Sequence, residues 1–279
     1  MTFKQLTARD NPLLKTIRRL VRNPEKSDAD QMAVEGVRML EEAENTGCDI
    51  DAVVISENFG AEPRERRLLD RWLARNLRIF QVNEEVFASI SDVRTPQGAM
   101  ALVRVTRYRL HQLRPNNSPL ILCAMGIQDP GNLGTLIRTA AAAGADAVFT
   151  TQGTVAARNS KTLRATAGAF FHLPVVEHLT TEELIFYCRD HGISMFRTDT
   201  REGAAHTQAN LAAPCAIVLG NEGNGMCDEA AEAFSDLPAI HIPMAENTES
   251  LNVSAAGAII LFEAFRQRKT TPESERTMK

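Results

Sequence analysis

Apolar residues recur every three or four positions in PLLKTIRRLVR, Pro12–Arg22, with Lys15, Arg18, Arg19 and Arg22 on or near the opposite side. That spacing predicts an amphipathic helix. Short apolar runs at Met32–Val34, Ala52–Ser56, Arg78–Val82 and Gln97–Val103 predict strands. Between them, Val37–Thr46 and Glu62–Arg75 carry helical spacing. This half therefore reads as a small α/β module. The second half repeats strand, loop, helix. Leu120–Met125, Asp146–Thr150, Ile193–Arg197, Pro214–Leu219 and Ala239–Ile242 predict strands. Leu133–Ala143 before Gly144, Thr180–His191, a stretch near Asp228–Phe234 and the long Leu251–Arg268 predict helices. Strands separated by helices imply a parallel sheet. In such sheets ligands bind outside the carboxyl ends of the strands.

Between the halves lies TRYRLHQLRPNNSP, which is polar and basic and ends in a Pro/Asn/Ser cluster that breaks regular structure. We therefore expect domains at 1–105 and 118–268, a linker at 106–117 and a polar tail at 269–279. A chain of 279 residues accommodates two domains. With 44% hydrophobic and 24% charged residues, wholesale disorder is excluded.

The five cysteines are scattered, with no CxxC pair, so neither a disulfide framework nor a structural zinc site is expected. His172, His178, His191, His206 and His241 show no ligand spacing, and His111 lies in the linker. No metal is expected. The first residues lack the apolar core of a signal peptide, and no apolar run is long enough to span a bilayer. These features predict a soluble, cytoplasmic protein with no membrane partner.

Net charge is −4, which at first argues against nucleic acid. The charge is uneven. Residues 1–116 carry +2 and the remainder −6. Lys4 to Arg22 holds six basic residues and one acidic, and Arg104, Arg107, Arg109 and Arg114 stud the linker. Local patches set phosphate affinity. Lys15, Arg18, Arg19, Arg22, Arg107 and Arg109 are therefore candidate RNA contacts, and salt-sensitive RNA binding should depend on residues 1–116.

Three loops, each after an expected strand, carry candidate chemistry. In QDPGNLGTLIRTA, Asn132 reads as a helix N-cap, and Arg138 is a lone cation in an Ala/Leu-rich helix. Gly220-Asn-Glu-Gly-Asn-Gly225 is neither GxGxxG nor a P-loop. Its glycines admit a ligand close to the backbone, and Glu222 suits a cation or a ribose rather than a phosphate. In IPMAENTESLNVSAA, Ser250 reads as the N-cap of the last helix.

Together the loops resemble the three signature motifs of the SpoU (TrmH-type) branch of the SPOUT RNA methyltransferases. The first, N-x-G-x-x-x-R-T-A, is matched by Asn132, Gly134, Arg138, Thr139 and Ala140. The second is matched by Gly220, Glu222 and Gly225, and the third by Ile242-Pro-Met244 with Ser250–Ser254 and Ala256. Val34-Glu-Gly36 and Thr95-Pro-Gln-Gly98 resemble the small substrate-binding domain of many ribosomal-RNA enzymes of this family.

The resemblance implies a parallel-sheet domain with a deep C-terminal trefoil knot, a homodimer, and S-adenosylmethionine as cofactor. Leu219, Gly220, Ile242, Met244, Leu251 and Asn252 would hold the cofactor. It implies methyl transfer to a ribose 2′-hydroxyl, with Arg138, Asn132, Glu222, Ser250 and Asn252 as the catalytic set. The family assigns Arg138 as base. A guanidinium with a pKa above ~12 is better suited to holding a phosphate and stabilising negative charge. The extra N-terminal domain favours ribosomal RNA of the large subunit over transfer RNA. Two rival readings are a non-catalytic RNA-binding factor and a nicotinamide-dependent oxidoreductase. The first would have lost Arg138, Ser250 or Asn252. The second needs GxGxxG after its first strand, and the Pro-Gly-Asn-Leu-Gly loop departs from it.

Overall fold

The computed structural model describes residues 3–24, 30–221, 232–246 and 249–270. The chain forms two compact units, one of residues 1–107 with 158–171, the other of 108–157 with 172–279.

The first unit is a five-stranded sheet in the order β1-β4-β3-β5-β2. Its strands are β1 (Lys4–Gln5), β2 (Gln31–Glu35), β3 (Asp49–Ser56), β4 (Ile79–Val82) and β5 (Ala99–Arg104). β3 pairs parallel with β4 and antiparallel with β5, which pairs antiparallel with β2. Helices α1 (Pro12–Arg22), α2 (Val37–Asn45), α3 (Pro63–Ala74) and α4 (Glu84–Ile90) cover it. Asn11 caps α1, and Leu14, Ile17 and Leu20 bury its apolar side. They join Ala52, Val54, Met100 and Leu102 of the sheet and Val86, Phe87 and Ile90 of α4 in one core. Each buried Leu, Ile, Val, Phe or Met among them contributes about 1.5–3 kcal/mol. The alternate residues Val53, Ile55, Ala101 and Val103 are buried too, so the sheet is covered on both faces.

Residues 158–171 belong to this unit although they fall within the expected catalytic domain. They contain α6 (Ser160–Thr166). Arg164 pairs with Asp92 at 2.8 Å, and Ser160 also donates to Asp92. Buried Arg158 donates to the carbonyls of Val105 and Thr106, both at 3.1 Å. Gly168 has φ +98°, and a Cβ there would stand 2.3 Å from Glu42 Cγ.

The second unit is a seven-stranded, wholly parallel sheet, ordered β10-β12-β9-β11-β6-β7-β8. The strands are β6 (Leu120–Ala124), β7 (Ala147–Thr151), β8 (Val175–Leu179), β9 (Ser194–Asp199), β10 (Ala204–Ala205), β11 (Cys215–Leu219) and β12 (Ala239–His241). β6 and β11 are buried throughout, as central strands covered on both faces must be. One face packs on Leu184, Tyr187 and Cys188 of α7 (Thr181–Asp190). α5 (Pro130–Ala142) and α8 (Val253–Thr270) pack together, and α8 also lies against β11.

Gly257 makes that packing possible. A Cβ there would lie 2.5 Å from Leu136 Cδ2 and 2.8 Å from Leu219 Cδ1. Gly257→Val should therefore cost about 1–3 kcal/mol of stability by overpacking, read as a lower denaturant midpoint.

Several expectations are corrected at element ends. α5 starts three residues earlier than expected, because Pro130 occupies the first turn, where its missing N–H costs nothing. Asp129, not Asn132, is its N-cap. α8 begins at Val253, so Asn252 replaces Ser250 as cap. It runs to Thr270, two residues past its expected end. The expected helix near Asp228–Phe234 lies mostly outside the described residues. Tracing the expected knot requires residues 222–231 and 247–248, also outside them.

Candidate active site

Because all seven strands are parallel, the loops after β6, β11 and β12 leave from one edge of the sheet. β11 lies beside β6, with Leu219 opposite Ala124. Beyond the last rung, Met125 N donates to Leu219 O at 2.9 Å. Asn221 Nδ2 then donates to Gly126 O at 2.8 Å, tying the first loop to the second.

The first loop runs directly into α5. Asp129 Oδ1 accepts from Asn132 N at 2.9 Å, which sets Asn132 in the first turn. The third loop ends at α8. There Asn252 Oδ1 accepts from Ser254 N at 2.9 Å and Ala255 N at 3.4 Å. Asn252 Nδ2 donates to Asn132 Oδ1 at 3.1 Å. The starts of two helices are thus joined through side chains 120 residues apart, and both helices direct the positive ends of their dipoles toward this junction.

Arg138 is exposed on α5, almost two turns from Asn132. Among the described residues it makes no ion pair, and no hydrogen bond joins it to Asn132, Ser250 or Asn252. Asn132 and Asn252 engage each other. Ser250 is exposed, and Glu222 lies outside the described residues.

Of the expected cofactor residues, Leu219 is buried with its side chain against α8 at Gly257, leaving backbone at the sheet edge. Gly220, Ile242 and Met244 are half-buried, and Leu251 is exposed. Gly220 carries no side chain, and Ile242, Met244 and Leu251 are apolar, residue types that suit a nucleoside carrying a sulfonium chain. The donor set fits S-adenosylmethionine. Among the described residues no cluster of His, Cys, Asp and Glu suits a metal, and no helix is long and apolar enough to cross a membrane.

Sequence reasoning overlooked the end of β9. β9 lies between β11 and β12, with Arg197 opposite both Val218 and Ala239, and Asp199 opposite His241. The segment Thr198–Thr200 therefore reaches the same edge between the second and third loops. Thr198 Oγ1 donates to Val218 O at 2.9 Å. Burial pushes the Asp199 carboxyl up. Bonds from the N–H groups of Arg201 and Glu202 and from the Arg197 guanidinium outweigh it and hold the group below the usual carboxylate range. The available signal was that TDTREG, like the other two loops, is a polar stretch with a glycine directly after a strand.

Of the candidate RNA contacts, Lys15, Arg19 and Arg22 share one exposed side of α1. Lys15 stands 4.0 Å from exposed Asp10. Arg18 instead turns inward, donating through Nε to Ser89 O and through Nη2 to Ser89 Oγ, both at 3.1 Å. Arg107 Nη2 donates to Pro24 O at 3.2 Å. Arg109, in the second unit, is exposed.

Known proteins resemble this chain over both halves. The model of the SpoU rRNA Methylase family matches residues 119–262, and that of the MRM3-like substrate binding domain matches 11–101. The chain is 30% identical to the 23S rRNA (guanosine(2553)-2′-O)-methyltransferase RlmP of Bacillus subtilis, over 93% of this chain and 98% of that protein. It is 36% identical to the 23S rRNA (guanosine-2′-O-)-methyltransferase RlmB of Vibrio parahaemolyticus, over 62% of this chain and 71% of that one. An rRNA methyltransferase from Sinorhizobium meliloti, also solved with AdoMet bound, superposes with a TM-score of 0.80 at 28% identity, covering 95% of this chain and 98% of that chain.

Proposed function

Since the chain belongs to the SpoU rRNA methylase family, we propose that it methylates a ribose 2′-hydroxyl in the RNA of the large ribosomal subunit. The observation that carries this reading is the joining of the first and third motifs through Asn132 and Asn252 at the carboxyl edge of a parallel sheet. S-adenosylmethionine supplies the methyl group, carried on a sulfonium cation. Gly220, Ile242, Met244 and Leu251 hold it, with the backbone of Leu219 and Asn252.

Arg138 binds a substrate phosphate and offsets the negative charge that grows on the ribose oxygen. A guanidinium is a poor base, so the hydroxyl proton leaves to that phosphate or to water. Ser250 and Glu222 belong with Arg138 to the proposed catalytic set. The domains at 1–105 and 118–268 divide the work, RNA capture in the first and methyl transfer in the second. Two copies assemble through the exposed apolar side of α8, where Ile259 (39% exposed) and Phe262 (48%) lie. The cytoplasm, where ribosomes are built, is the matching compartment.

Mapping 2′-O-methyl positions in ribosomal and transfer RNA from a deletion strain tests the substrate. One lost large-subunit site is expected, and losses confined to transfer RNA would overturn the reading. RNA capture has its own test. Neutralising Arg19 and Arg22 with Gln should weaken RNA binding. It should also lower the slope of log affinity against log salt by roughly 0.7–0.9 for each phosphate left unneutralised. Equal slopes for wild type and variant would remove α1 from the RNA surface.

A further inference from the structure

We propose that Ser254 is a positioning residue for methyl transfer, acting through Asn252 on Asn132; this rests on the function proposed above. An amide side chain has two faces of opposite character, and turning it over exchanges a donor for an acceptor. Ser254 decides which way Asn252 is turned. Its hydroxyl donates to Asn252 Oδ1 at 2.6 Å, beside the bonds from Ser254 N and Ala255 N. Three donors converge on one oxygen, so that end of the amide must be the oxygen. The other end is then NH₂ and points to Asn132 Oδ1. Ser254 Oγ itself stands 3.5 Å from Asn132 Oδ1, at the limit of contact. Its single proton is committed to the shorter bond.

The orientation passes on one step further. With Asn132 Oδ1 bound to Asn252, the nitrogen of Asn132 is turned away from α8. The order serine, asparagine, asparagine thus fixes which end of the Asn132 amide faces Asn252 at the start of the motif that carries Arg138. Asn252 Oδ1 is saturated within the helix cap and has no lone pair to offer a ribose hydroxyl. Asn252 therefore acts on the reaction by holding Asn132. Asn252 is exposed while Ser254 and Asn132 are half-buried, and the three act as one linked network whose parts are separated by double-mutant cycles.

The test uses the full-length protein and the variants Ser254→Ala, Ser254→Thr, Asn132→Ala and the double variant Ser254→Ala with Asn132→Ala. Both backbone N–H groups still reach Asn252 in Ser254→Ala, so the helix cap and the fold are retained. In wild type the side-chain NH₂ of Asn252, bonded to Asn132, should exchange with water more slowly than that of an unbonded surface asparagine. Ser254→Ala should speed that exchange, and Ser254→Thr should restore it. Unchanged exchange in Ser254→Ala overturns the proposed network, whatever the enzyme's substrate.

In methylation assays, Ser254→Ala should lower kcat about tenfold through misplacement of the reacting groups, with KM for S-adenosylmethionine unchanged. Ser254→Thr should recover kcat. Added to Asn132→Ala, the Ser254→Ala change should cost nothing more, because its route of action is already gone. A wild-type kcat in Ser254→Ala, or losses that add in the double variant, overturns the positioning role. If the wild-type protein methylates no ribose, the reading of function fails by itself, and the exchange measurement still decides the network.

Discussion

Arg138→Ala lowers kcat for RNA methylation by about 10²–10³-fold while leaving thermal stability at the wild-type value. The first half of that expectation follows from charge. The reaction builds negative charge on a ribose oxygen, and Arg138 is the cation that the first motif places on α5. The second half follows from exposure. The side chain is exposed and makes no ion pair among the described residues, so its removal leaves no buried charge without a partner. Arg138→Lys should recover only part of the loss, because an ammonium cannot grip a phosphate through two parallel N–H bonds. Single-turnover transfer of labelled methyl groups, with melting curves on the same samples, checks both halves. Near-wild-type turnover in Arg138→Ala with cofactor still bound would end the assignment.

The second large effect is on stability. Arg268→Met should lower unfolding free energy by about 3 kcal/mol and leave cofactor affinity of the folded protein unaltered. Arg268 sits near the end of α8, where its guanidinium collects carbonyls from two segments that lead into the central strands. Nε donates to Leu211 O at 3.0 Å, and Nη2 to Pro119 O at 3.1 Å and Ala213 O at 2.7 Å. Nη1 donates to Ser118 O. Its neighbour Gln267 reinforces the same turn, donating to Ala209 O at 3.1 Å and accepting from Leu211 N at 2.9 Å. A methionine fills the volume and removes the guanidinium from four carbonyls, of which Pro119 O keeps its bond from Cys215 N at 2.9 Å and Leu211 O a weaker one from Cys215 Sγ. Lysine reaches fewer of them, so Arg268→Lys should fall between the two. Urea midpoints at constant slope measure the difference, and an unshifted midpoint for Arg268→Met would show that water replaces the guanidinium at no cost.

The parts of this fold most legible in the sequence were those decided by local patterning. LILCA and CAIVL are uninterrupted apolar runs, and both are central strands buried on two faces. PLLKTIRRLVR showed its buried side by spacing alone. The parts missed have tertiary causes. α4 has seven residues, too few for a helical period to establish itself against noise. β8 reads VVEHL, and its ladder shifts register at a bulge where His178 takes a positive φ. The two cap assignments failed for a related reason. Asp, Asn and Ser serve almost equally well at an N-cap, so propensity ranks none of them first. The contact between Asn132 and Asn252, which joins residues from opposite ends of the catalytic half, was likewise invisible to local propensity. The candidate site was legible as three motifs. Which of their side chains meet was not, because that depends on β11 lying between β6 and β9.

The placement of residues 158–171 in the first unit bears on how the chain is made. Domains usually fold as they leave the ribosome, the N-terminal one first. Here the first unit lacks the groups that pair with Asp92 and the side chain that grips Val105 and Thr106 until Arg158–Phe171 has been synthesised. By then β6, β7 and α5 of the second unit are already complete as sequence. The two units therefore finish in overlapping rather than successive order during translation. A cut in the 106–117 segment does not yield two intact pieces. It deprives the first of its last helix and leaves that helix on the second without its packing surface.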